Sequence, residues 1–495
     1  MIRESDCRKE DQMLSKEQIE QIVQMTIETL RTQERSLAGQ NGMSGSVQGG
    51  SSSHGAGNGW MFDDANDCVE AATRAQKELM KLSMDHRERI IGAMRQASRD
   101  NARKLAEMAH EETGYGNVPD KVAKILLVAD KTPGTEDIVP RVFTGDHGMT
   151  LVEQAPFGVI GSITPSTNPP GTVVNNSISM IAAGNAVVFN PHPAAAKCSQ
   201  ETMRILNEAI VQAGGPMGLI CCPSNPDMHT SDVIMNHPKI RLLSVTGGEA
   251  VVGVAMKTGK KVIAAGPGNP PVIVDETADI IRAARDIVDG ASFDNNVLCV
   301  AEKECFIVNS VFDRLLSEMQ KNGAWLIKGG DIDRIVQTVL IHKDGKYVIN
   351  RDFVGRDATY IMDRSGVAYS GNPRLVIAEV TKDHPFVTVE MLMPVLGCVR
   401  CECVDQAIDR AVEAERGCWH SALMHSTNYL NMTRAARALN TTIFIKNGPS
   451  TAGVGFNGEG YATLTIATPT GEGLTSARTF TRARRCVLED GFRII

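Results

Sequence analysis

Between Phe157 and Ala265 five short β-rich runs, FGVIGSI, NAVVFN, GLICC, KIRLLSV and KKVIAA, punctuate helical stretches such as AAAKCSQETMRILNEAIVQAG. Few folds accept that alternation. A crossover helix returns the chain to the same end of the sheet, so successive strands run parallel, and helices cover both faces. The chain is therefore of the α/β class, with a nucleotide-binding type of sheet at its centre. Before this sheet, residues 63–131 read as mainly helical, and DHGMTLVEQAPFG (146–158) reads as a protruding strand pair. After Gly266 a second alternating region begins, with PVIV, CVAEKECFIV and later PVLGCVRCECV as candidate strands. The cleft between two such regions is where ligands usually sit.

The chain has 495 residues, 42% of them hydrophobic, enough for one large or two to three ordinary domains. Fifty-one basic residues against 58 acidic ones give a formal charge of −7, so no global field draws it to nucleic acid or to an anionic membrane. Small anions must be held locally. Twelve cysteines show no paired framework, and no secretory core or 18-residue apolar run accompanies them, which predicts a reducing, cytosolic setting.

The amino terminus reads as a unit of its own, residues 1–35. LSKEQIEQIVQMTIETLR (14–31) places Ile19, Ile22, Val23, Ile27 and Leu30 at helical spacing, with Ser15 as N-cap. Residues 36–59 are almost wholly Gly, Ser, Asn and Gln, the composition of a flexible tether. A single helix of this length is marginal in water, so its apolar stripe predicts a partner. Folding back on its own domain is the alternative. A membrane-surface helix fits less well, since the polar face lacks a Lys/Arg excess.

Several motifs invite chemistry. No GxGxxG follows the first strand; instead VTGGEAVVGVAM puts Thr246, Gly247 and Gly248 at a strand-to-helix turn, where backbone N–H groups can approach a phosphate. Alone this is weak, and FNPHP with Asn190 and His192 reads equally as a Pro-rich turn. FDNNVLCVAEKECF sets Cys299 between a polar and a charged run, as working thiolate or as filler. Cys398, Cys401 and Cys403 have no second cluster to complete a metal site, and alternation along a strand accounts for them. RTFTRARR near the carboxyl end reads as a solvated or subunit-contacting face.

Read together, ITPSTNPPGT, FNPHPAA, VTGG, FDNNVLCVAEKE, HPFVTVEMLMPV, TTIFIKNGPS and GEGLTSARTFTRARRCVLEDGFRI resemble the CoA-acylating aldehyde dehydrogenases of bacterial microcompartments, the ethanolamine- and propanediol-utilisation types. The motifs span residues 60–495 in family order. The resemblance implies an aldehyde dehydrogenase-like fold: a Rossmann-like cofactor domain (60–265) carrying an oligomerisation hairpin at about 138–156, an α/β catalytic domain (266–465), and a C-terminal oligomerisation segment (466–495). It implies that Cys299 is the nucleophile and Asn168 an oxyanion donor. It assigns Thr164, Pro165, Asn190, His192, Thr246, Gly247 and Gly248 to the cofactor and Glu390 to the neighbourhood of the nicotinamide ribose. His384 and His420 lie in family-like motifs without a proton-transfer role. Position 298 departs from the pattern, with Leu where Pro is expected, and leaves chain-length preference open.

The chemistry so implied is a thiolate addition to an aldehyde, hydride loss to NAD (with NADP open), and acyl transfer from the cysteine to coenzyme A. Hydrolytic relatives activate water with a Glu in an ELGGK segment; here the matching segment is IAAGPGNPP, with Ala264 in that place. That absence favours the thiol of CoA over water. A hydrolytic dehydrogenase, and an inactive scaffold that organises shell or cargo, are the competing readings. The expected partners are a short-chain aldehyde (acetaldehyde or propionaldehyde), shell proteins met through the N-terminal helix, and further copies of the chain as dimer or tetramer. No nucleic acid and no membrane are expected, and the expected location is the microcompartment lumen.

Overall fold

The structure, a computed structural model, describes residues 58–494. The helix expected at 14–31 and nearly all of the linker expected at 36–59 lie outside them. Met61–Phe62 forms a short strand, β1, followed by three helices: α1 (Ala65–Leu79), α2 (Met84–Thr113) and α3 (Val118–Lys131). Their ends are written in the sequence. Ser83 caps α2 by accepting from His86 N, and Gly114 closes it in the left-handed region at φ 69°. Asn117 caps α3 by accepting from Asp120 N, with Pro119 in the first turn, where no N–H is missed.

An antiparallel hairpin, β2 (Arg141–Gly145) and β3 (Gly148–Pro156), leads into β4 (Val159–Thr164), β5 (Ala186–Pro191), β6 (Ile220–Pro223), β7 (Ile240–Thr246) and β8 (Lys261–Ala265). The five predicted strands are thus all present. With β1 they form a parallel six-stranded sheet in the order β1-β6-β5-β4-β7-β8. Every residue of β4, β5 and β6 is buried, as coverage by helices on both faces requires. Strand order reverses at β4, which has β5 on one side and β7 on the other, and such a reversal opens a crevice at the carboxyl ends of the strands. Helix α4 (Pro169–Ala182) leaves β4 from that crevice and is buried along its whole length.

The second sheet has seven parallel strands in the order β11-β14-β15-β10-β9-β16-β17. In chain order these are β9 (Pro271–Val274), β10 (Glu304–Val308), β11 (Ala324–Ile327), β14 (Leu375–Glu379), β15 (Val395–Cys401), β16 (Ser421–His425) and β17 (Ile443–Lys446); a hairpin, β12 (Leu340–Lys343) and β13 (Lys346–Ile349), stands apart. The candidate strand CVAEKECFIV is shorter than expected: only Glu304–Val308 is extended, and Cys299 lies in the turn before it. Cys398 and Cys401 are buried in β15, and Cys403 is exposed just beyond it. A short pair, β18 (Ile466–Ala467) and β19 (Gly473–Leu474), precedes β20 (Thr481–Glu489), which carries TRARRCVLE along the outer edge of β3 over nine paired positions.

Candidate active site

Thr164 and Thr246 end the neighbouring strands β4 and β7, and the hydroxyl of each is buried without a hydrogen-bond partner among the described residues. A buried orphan hydroxyl is costly unless something else completes it. Pro165 follows, half-buried, and His192 N–H donates to Thr164 O (3.0 Å) to tie off β5. Gly247 N–H donates to Ala265 O (3.2 Å), and a Cβ at Gly247 would lie 2.6 Å from Val251. Gly248 is the N-cap of α7, counted with α5 (Ala196–Gln212) and α6 (Met228–Asn236) before it; α7 spans Glu249–Met256, and no side chain serves its first N–H groups. Two waiting hydroxyls and an uncapped helix start beside a reversal in strand order are a setting that could hold a dinucleotide. Asn190 is used otherwise: its amide accepts from Thr230 Oγ1 (2.8 Å) and donates to Asp227 O (3.1 Å), fixing the loop before α6. His192 is exposed and its Nδ1 accepts from Ala194 N (3.1 Å), so the ring braces its own turn.

Cys299 stands at the end of a strained turn. Asp294, Asn295 and Asn296 have φ of 46°, 53° and 64°, an unusual run for residues other than glycine. Each side chain secures it. Asn295 Nδ2 donates to Gly355 O (3.0 Å) and Asp357 Oδ1 (2.8 Å); Asn296 Nδ2 donates to Ala291 O (2.8 Å) and Glu302 O (2.9 Å). Lys303, wholly buried, donates to Asn296 O (3.1 Å), to Leu298 O (3.0 Å) and to Asn296 Oδ1. The Leu298 side chain is buried in the core of the second sheet.

Cys299 itself is half-buried. Burial, and then the Glu390 carboxylate, push its thiol up to about 12, with the Lys303 ammonium opposing. Glu390 is likewise raised by burial, against Lys303 and the Gly268 N–H. The Glu390→Gln variant should therefore lower the Cys299 pKa and speed its alkylation by iodoacetamide severalfold at pH 8. An unchanged rate-against-pH curve would show that Glu390 does not act on the thiol.

Asn168 is the N-cap of α4, yet its side chain caps nothing. Pro169 and Pro170 remove the first two N–H groups of the helix, which leaves the Gly171 N–H as the one capping partner in reach, and the Asn168 side chain does not take it. Its Oδ1 instead accepts from Lys124 Nζ, and Lys124 also meets Asp294. This network joins Asn168 to the turn that leads to Cys299. His420 packs close by, buried, with Nδ1 2.8 Å from Ser421 Oγ. Burial and Lys303 push it down to about 4, so the ring is neutral at neutral pH. His384 caps its own short helix by accepting from Phe386 N (3.1 Å). Ala264 is wholly buried in the core of the first sheet, with its N–H donating to Thr470 Oγ1 (3.0 Å). Lys124, Lys303 and Gly268 were not singled out from sequence; a lysine reads as surface, and only burial reveals these two.

The profile of the aldehyde dehydrogenase family matches residues 62–461. The chain is 52% identical over 438 residues to acetaldehyde dehydrogenase (acetylating) EutE of Salmonella typhimurium, covering 88% of this chain and 93% of the relative. Its structure superposes with a TM-score of 0.86 at 48% identity on a propionaldehyde dehydrogenase from the Clostridium phytofermentans fucose-utilisation bacterial microcompartment, over 88% of this chain and 99% of that one. At a TM-score of 0.85 and 46% identity it matches Rhodopseudomonas palustris propionaldehyde dehydrogenase solved with bound CoA and an acylated cysteine, again over 88% and 99%.

Proposed function

The chain belongs to the aldehyde dehydrogenase family, and from that premise we propose that it is a CoA-acylating aldehyde dehydrogenase, converting acetaldehyde or propionaldehyde with NAD and coenzyme A to the acyl-CoA. The observation that carries the acyl-transfer reading is the pairing of Cys299, held by a braced turn, with a buried alanine at position 264. In this reading the Cys299 sulfur adds to the aldehyde carbon, and the developing oxyanion takes hydrogen bonds from Asn168 Nδ2 and the Cys299 N–H. Lys303 supplies the nearby positive charge that favours the thiolate. The nicotinamide cofactor, when bound along Thr164, Pro165 and Thr246 to Gly248, supplies a hydride acceptor. Cys299 is left carrying a thioester. Position 264 offers no carboxylate to deprotonate water, so the thiol of CoA, partly ionised near neutral pH, attacks the thioester carbon and the Cys299 thiolate departs.

Val142, Phe143, Val487 and Leu488 are exposed on the three-stranded arm of β2, β3 and β20, a surface suited to burial against a second copy of the chain. The same reading places the enzyme in a microcompartment lumen, with residues 1–35 binding a shell protein through Ile19, Val23, Ile27 and Leu30. Removing residues 1–56 should leave kcat unchanged in solution and abolish co-purification with shells; retained co-purification would refute the targeting role. The activity is tested by following NADH or NADPH absorbance over a series of aldehydes with each cofactor, with product analysis. Acyl-CoA should exceed free acid with C2 and C3 aldehydes. Carboxylate released as fast as acyl-CoA would return the hydrolytic reading.

A further inference from the structure

Helix α3 places Lys121 and Lys124 one turn apart, and both are buried, at 4% and 3% exposure. A buried ammonium is expensive to hold, so its partners say what it is for. One carboxylate faces the pair. Asp294, with no exposed surface, accepts from Lys121 Nζ (3.1 Å) and from Lys124 Nζ on Oδ2, while its Oδ1 accepts from Asn117 N–H (2.9 Å). Two ammonium groups against one carboxylate leave a surplus of charge and of donors. Lys124 spends its surplus on Asn168 Oδ1. Lys121 has no such bond to Asn168 among the described residues.

The direction of that bond matters. An ammonium is donor only, so Asn168 must turn its carbonyl oxygen to Lys124, and the amide nitrogen then occupies the opposite branch. Without Lys124 the amide could rotate, because its side chain makes no cap bond to the start of α4, where Pro169 and Pro170 leave only the Gly171 N–H. A charge-assisted bond to the carbonyl oxygen also polarises the amide and strengthens its N–H as a donor.

We propose that Lys124 is a positioning residue for the reaction: held against Asp294, it locks the Asn168 side chain with its N–H2 end toward the substrate oxygen. This rests on Asn168 being the oxyanion donor. Lys121 balances Asp294 and has no direct part. The pairing explains why both lysines are buried although one carboxylate needs only one.

The test is a double-mutant cycle on the full-length enzyme, with steady-state kinetics for acetaldehyde, NAD and CoA, Cys299 alkylation rate and thermal unfolding read for each variant. Asn168→Ala should lower kcat by about 10²- to 10³-fold. Lys124→Met keeps the apolar stem, leaves Asp294 paired with Lys121, and should lower kcat by about tenfold to 10²-fold with KM for NAD and the alkylation rate little changed. The double variant should be no slower than Asn168→Ala, since Lys124 acts only through it. Lys121→Met should lose far less in kcat. If Lys124→Met does not fold, Lys124→Gln enters the same cycle. A normal kcat for Asn168→Ala overturns the oxyanion reading and this inference with it. A slow Asn168→Ala alongside a wild-type Lys124→Met, or losses that multiply in the double variant, overturns the positioning role alone.

Discussion

Alanine at position 299 is expected to reduce CoA-dependent NADH formation by about 10⁴-fold or more, the scale seen when a covalent nucleophile is removed. The nearest cysteine in sequence, Cys305, is wholly buried in β10 and packs in the core of the second sheet. Burial pushes its thiol well up, so it is neither accessible nor ionised. The turn should survive, because its braces come from Asp294, Asn295, Asn296 and Lys303 and none of them bonds the Cys299 side chain. Stability should therefore change little, and NAD binding should persist. Cys305→Ala gives the opposite pattern, a cavity cost of about 1 kcal/mol with activity retained. Progress curves and thermal unfolding of the two variants check this; residual turnover in Cys299→Ala within tenfold of wild type would place the nucleophile elsewhere.

Gly268→Ala should be nearly as damaging without touching a reacting group. A Cβ there would lie 2.9 Å from Cys299 O and 2.8 Å from His420 Cγ. Neither neighbour can yield cheaply. His420 is buried and held by Ser421, and the carbonyl belongs to the segment pinned by Lys303. The strap 266–270 between the two sheets, or the backbone of Cys299, must move by a sizeable fraction of an ångström. Misplacement on that scale costs about 10²-fold in rate, and this is the expected fall in kcat, with a modest loss of thermal stability. Wild-type kcat in Gly268→Ala would show that the strap does not set the position of Cys299.

The first sheet was legible because its strands are apolar runs separated by helices of ordinary length, and periodicity reports that pattern directly. The carboxyl-terminal strand was harder. TRARRCVLE is exposed along almost its whole length, so it carries no burial signal, and only its pairing with β3 makes it a strand. CVAEKECFIV reads as one extended run, but Lys303 folds its first half back by donating to three oxygens at 296 and 298. The turn was hidden for a related reason: Asp-Asn-Asn reads as a polar run, whereas Asp294 accepts from Asn117 N–H, Asn295 donates to Asp357, and Asn296 is held by Ala291 and Glu302 on either side of it. Asn190 was expected at the cofactor, and its amide proves to be committed to the Asp227–Thr230 loop. A sequence shows which residues can donate and accept; it does not show which partner the fold will bring to them.

On the proposed mechanism the Cys299 thioester waits for a thiol and is not surrendered to water. Mixing the enzyme with excess aldehyde and NAD but no CoA tests it most directly, with NADH read by stopped flow and the Cys299 peptide read by mass spectrometry. The expected result is a burst of about one NADH per active site, then a stall, with the acyl mass on the Cys299 peptide and turnover restored on adding CoA. Continuous NADH production without CoA, with free carboxylate accumulating and no acylated peptide, would contradict it.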